Sequence, residues 1–143
     1  MDFSLPDDLV AYLAELDRFI AQKIKPLEQR DDNVRFFDHR REWARTDFDK
    51  GGLPRREWED LLRQAKTLAD EAGHLRFAIP SRYGGRDGSN LWMAVIREHF
   101  AAKGLGLHND LQNEHSIVGN FPLVTMLDRY GRDDQKAMIE GSL

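Results

Sequence analysis

Residues 104–120 read GLGLHNDLQNEHSIVGN, and this stretch concentrates side chains able to do chemistry. His108, Asp110, Glu114 and His115 are all of types that bind zinc or iron. Their spacing argues against convergence. His108 and His115 lie seven residues apart, about two helical turns, and adjacent Glu114 and His115 would diverge by about 100° on a helix. Neither His-Glu-x-x-His nor the Glu-x-x-His of helical carboxylate-bridged sites occurs in the stretch. Spacing alone points to a polar, glycine-bounded turn whose side chains cap helices, with no metal bound.

Nucleophilic catalysis has less support. Ser81, Ser89, Ser116 and Ser142 all lack the Gly-x-Ser-x-Gly turn that exposes a serine nucleophile. The glycine-rich YGGRDGSN (residues 83–90) leads toward a helix N-terminus, where phosphate can bind. It matches neither Gly-x-Gly-x-x-Gly nor the P-loop, so it reads as a turn that redirects the chain. His99 borders an apolar stripe and reads as a packing residue. There is no cysteine, which excludes disulfides and thiolate metal sites.

Composition narrows the class further. The chain has 143 residues, enough for one domain with its own core. Its net charge of −4, with signs well mixed, gives no global attraction to nucleic acid. The start, MDFSLPDDLV, lacks the basic and apolar runs of a signal peptide. No apolar run reaches membrane-span length. A soluble, cytoplasmic protein is the expectation.

Helical periodicity dominates the elements that must hold these residues. Leu9, Leu13, Leu16, Ile20, Ile24 and Leu27 recur in steps of three and four, one apolar stripe of a first helix. Ser4 with Asp7 resembles a capping box, and Pro26 is expected to kink or end the helix near Lys25. DHRREWART could form a short helix before Gly51 and Gly52 break the chain. A second long helix is expected from about Pro54 to Ala72, with Trp58, Leu61, Leu62, Ala65, Leu68 and Ala69 inward and Gly73 as its stop. Arg55 and Arg56 at its start oppose the helix dipole. Gly84 and Gly85 are expected to supply positive φ. Ser89 caps a third helix with Leu91, Trp92, Val95, Ile96 and Phe100 inward, and Gly104 ends it. FPLVTMLDRY and a short helix from Asp133 complete the chain. No strand pattern is present. The expected class is all-α, a single bundle of about five to seven helices over residues 1–143.

Three segments, in order, resemble the N-terminal helical domain of the acyl-CoA dehydrogenases. They are LVAYLAELDRFIAQKIKPLE, then RFAIPSRYGGRDGSNLWMAVIREHFAA, then GNFPLVTMLDRYGRDDQKAMIEG. The Tyr-Gly-Gly turn and the Tyr-Gly-x-x-x-Gln-Lys run, about 45 residues apart, are the most specific part. The resemblance implies α,β-dehydrogenation of a fatty acyl-CoA thioester with FAD as cofactor and an electron-transferring flavoprotein as acceptor. It implies that the intact enzyme is a homo-oligomer. It also implies that a middle β domain and a C-terminal helical domain, carrying most flavin contacts and the catalytic base, lie outside this sequence. No catalytic residue is carried over, and the fragment alone is expected to be inactive. Residues 105–123 correspond to a helix walling the acyl pocket, with Leu111, Glu114, His115 and Val118 facing the acyl chain. A stand-alone helical interaction module is the alternative.

Overall fold

The computed structural model describes residues 3–112 and 115–141. It is mainly helical, as the periodicity predicts. Helix α1 spans Asp7–Phe19, a π turn follows over Ile20–Ile24, and α2 spans Lys25–Gln29. These three pieces form one rod, because the residues at each junction keep right-handed helical dihedrals. The expected stripe of Leu9, Leu13, Leu16, Ile20, Ile24 and Leu27 is buried throughout.

Pro26 does not end the helix. Proline offers no N–H, and its ring clashes with the carbonyl four residues back. The chain answers with the π turn, in which the Lys25 N–H reaches the Ile20 carbonyl. The rod then runs on to Gln29. The expected capping box is also absent. Pro6 takes the N-cap position with no side-chain cap bond, and Asp7 and Asp8 supply the acidic first turn.

A short antiparallel ladder pairs β1, Thr46–Asp47, with β2, Leu53–Pro54. Two residues per strand are too few for alternation to show in the sequence. The ladder takes Pro54 out of the next helix, so α3 runs Arg56–Glu71. Arg55 is its N-cap, and the Arg55 guanidinium donates to the Trp43 carbonyl at 2.9 Å, fastening the helix start to the preceding segment. Within DHRREWART only a 3-10 turn forms, at Glu42–Ala44. Gly73 has φ of 77° and lets the His74 N–H return to the Ala69 carbonyl, the expected stop.

Helix α4 spans Asn90–Ala101, and the Ser89 Oγ accepts the Trp92 N–H at 3.2 Å as its cap. Met93, Ile96 and Phe100 face the core, whereas Leu91 is exposed, so the stripe sits slightly rotated from expectation. Helices α5, Pro122–Tyr130, and α6, Asp133–Glu140, end the described chain. The core is one cluster in which Trp58 and Phe100 are the largest fully buried side chains.

Candidate functional site

The polar stretch between α4 and α5 is not helical over its described residues. The helix expected over residues 105–123 is therefore corrected: helix resumes only at Pro122. The reason lies in the backbone pairing. Leu111 N–H donates to the His115 carbonyl, Ile117 N–H to the His108 carbonyl, and Gln112 sits at φ 64°. After a single turn closed by Asp110 N–H to the Gly106 carbonyl, these loop pairings take the place of a continuing helix.

The side chains of this loop serve its closure. Asn109 Nδ2 donates to the Gly104 carbonyl at 3.0 Å and its Oδ1 accepts the Gly106 N–H at 3.1 Å. Asp110 Oδ2 accepts from Arg45 Nη2 at 2.7 Å. The guanidinium of Arg45 lies 4.3 Å from the Trp58 ring centroid and also donates to the Phe36 carbonyl. His108 is fully buried, its Nε2 3.2 Å from the Phe100 carbonyl. Burial pushes its pKa down, so the ring is neutral. Among the described residues no group of three or more His, Asp or Glu side chains is placed to hold a metal ion.

The four expected pocket residues have different fates. Leu111 and Val118 have no accessible surface and sit in the core beside Leu107 and Ile117. His115 is half-buried, with its ring 5.2 Å from that of Phe121. Glu114 lies outside the described residues.

A second feature went unread in the sequence. A cleft of about 930 Å³ opens between the turn after Ile79 and helix α5. Ser81, Arg82, Ser89 and Asn90 line one side, and Thr125, Met126 and Arg129 the other. Tyr83 Oη donates to Asp128 Oδ1 at 2.9 Å across it, and the Arg82 guanidinium pairs with the same carboxylate. The turn is set by glycine in two ways. Gly84 takes positive φ, 81°, as expected. Gly85 does not; a Cβ there would overlap the Ile79 carbonyl, so close approach fixes this glycine. The sequence signal for Asp128 is a carboxylate two residues before the Tyr-Gly that ends its helix.

Tyr12 and His74 form a further buried pair, Oη to Nδ1 at 3.1 Å. His74 Nε2 lies 3.8 Å from Glu15. Burial pushes the Tyr12 phenol up to about 12 and the His74 imidazole down. The phenol stays protonated and shares a hydrogen bond with a neutral ring. Both side chains are shut in the core, so the pair packs α1 against the segment after α3 and reaches no substrate.

Comparison with protein-family models, curated proteins and solved structures finds no match to this chain. No helix among the described residues is long and apolar enough to cross a membrane.

Proposed function

We propose that this chain is the N-terminal helical unit of an FAD-dependent acyl-CoA dehydrogenase, giving part of the acyl-pocket wall and a face for the domains beyond it. What carries the reading is the Tyr83–Asp128 bond, which joins the two segments whose motifs carry the resemblance. Those segments stand apart in the sequence and meet at one structural joint.

A second feature supports the docking role. Leu123, Met126 and Tyr130 form an exposed stripe along α5, and α5 has no buried residue. An amphipathic helix with its apolar stripe in water is a surface waiting for a partner.

The reaction in this reading removes hydrogens from the α and β carbons of the thioester. Bound flavin supplies the hydride acceptor. The cleft beside α5 is open and lined largely by polar and charged side chains, so its residues alone do not fit an isoalloxazine ring. No step of the chemistry is therefore assigned to this chain. Of the wall residues described, His115 has accessible surface, while Leu111 and Val118 are buried in the core. The electron-transferring flavoprotein and a homo-oligomeric assembly belong to the whole enzyme.

The decisive test is the coding sequence beyond Leu143, with flavin titration of the chain alone. The reading expects an open frame into a strand-rich segment and then amphipathic helices, with no tight FAD binding by this chain. A stop codon directly after Leu143 would overturn it in favour of a stand-alone interaction module.

A further inference from the structure

The buried junction of Glu28, Gly106 and His108 is unused by the reading above and independent of it. Glu28 is only 8% exposed. Its Oε2 accepts the Leu107 N–H at 2.7 Å and its Oε1 pairs with Lys25 Nζ at 2.8 Å. One carboxylate of α2 thus holds the start of the loop that follows α4.

His108 holds the same loop from the other side. Its Nε2–H donates to the Phe100 carbonyl, which fixes the tautomer and leaves Nδ1 as the basic nitrogen. Nδ1 is buried and has no hydrogen-bond partner among the described residues. A Cβ at Gly106 would stand 2.7 Å from Glu28 Oε2 and 2.9 Å from His108 Nδ1. Glycine is what lets carboxylate and imidazole close on the backbone from two sides. The Ile117 N–H then clips the returning arm to the His108 carbonyl.

We infer that this junction is an acid-released latch: neutral His108 holds loop arms 104–112 and 115–118 shut, and protonation at Nδ1 opens them before the rest of the fold yields. Opening bares Leu107, Leu111, Ile117 and Val118, all fully buried in the closed state.

The charges around the ring are Glu28 and Lys25 from α2 and Lys103 from the end of α4. Glu28 favours a proton on the ring, and the two lysines oppose it. Desolvation exceeds all three, so the closed loop rejects the proton and an open loop accepts it. The closed state therefore has its full advantage above the ordinary histidine pKa of about 6.5. It loses about tenfold in the closed-to-open ratio per pH unit as pH falls from there toward the lower closed-state pKa.

The test is amide hydrogen exchange, as protection factors, between pH 7.5 and 5 on the chain and on His108→Gln. Expected at Leu107 and Ile117 is protection well below that of the α3 amides of Leu61 and Leu62 at every pH, falling about tenfold per unit below about 6.5, and no such slope at the loop in the variant. Loop amides as strongly protected as those of α3, and so exchanging only by global unfolding, would overturn the latch, as would a loop slope that survives the substitution. Should His108→Gln fail to fold, the ring signal of His108 in the unaltered chain decides. Titration coincident with loop opening supports the latch, and titration near 6.5 with the loop still protected removes it.

Discussion

Tyr83 and Asp128 meet at 2.9 Å across 45 residues of chain, and Arg82 adds its charge to the same carboxylate. This joint fixes α5, which otherwise contributes no buried side chain. Tyr83→Phe is expected to cost about 1.5 kcal/mol, one neutral-to-charged hydrogen bond. Asp128→Ala removes both partners and is expected to cost about 2 kcal/mol. Urea unfolding gives the totals, and limited proteolysis should cut first at α5 in the second variant.

Arg45 does three things at once: it lies over Trp58, donates to the Phe36 carbonyl, and holds Asp110. Lysine keeps the charge and loses the planar fork. Arg45→Lys is expected to lower stability by about 1–2 kcal/mol. Lost hydrogen-exchange protection near Asp110, with the α1 amides unaffected, would locate the damage.

At Gly85 the constraint is space. Gly85→Ala puts a methyl into the Ile79 carbonyl and must shift the turn, for an expected loss of about 3 kcal/mol or more. Alanine at Gly51 is a fair comparison, since a Cβ there meets nothing and only its positive φ resists. Thermal unfolding of both should rank Gly85 far worse.

Acid and alkali should each erode the fold through the Tyr12–His74 pair. His74 has a folded pKa below the ordinary value, so it takes nothing from stability above about pH 6.5. As pH falls from there toward the folded pKa, the unfolded chain gains the proton first, and stability drops by about 1.4 kcal/mol per unit. The Tyr12 phenol is raised to about 12, so stability falls as pH rises from about 10 toward that value. Denaturant curves from pH 5 to 11 should show both shoulders, the acid one reduced in His74→Asn.

The exposed stripe on α5 predicts the opposite pattern, a change in association without a change in stability. Met126→Glu should leave unfolding within about 0.5 kcal/mol of the parent. Sedimentation should show the parent self-associating through the bare apolar face and the variant less so.

Local signals in the sequence carried most of the helices. The heptad-like stripe of α1, the glycines at 73 and 104, and the serine at 89 each act within one or two turns, and each sits where its chemistry predicts. The site was far less readable. Leu107, Leu111 and Val118 are fully buried at helix-like spacings of four and seven, yet no helix forms there and Ile117 is buried beside them, because loop pairings such as Leu111 to His115 set their directions. Glu28 was hidden in plain view. It lies four residues after Ile24 on the apolar face, and only its long-range partner, the Leu107 amide, explains a carboxylate there. Such partners are set by tertiary packing, which residue spacing does not encode.

The π turn at Ile20–Ile24 is, in helical arithmetic, one surplus residue absorbed within a rod. Everything after it keeps the phase it would have if that residue were missing. Removing one exposed residue from the turn, Ala21 or Gln22, should therefore leave Leu27 and Glu28 at their present bearings, the cost being Pro26 pressed against an ordinary turn. The same deletion in the middle of α1 would swing every later side chain by about 100° and empty the core. Helix phase is thus least sensitive to gene length at this one turn of the rod, the turn that Pro26 opens.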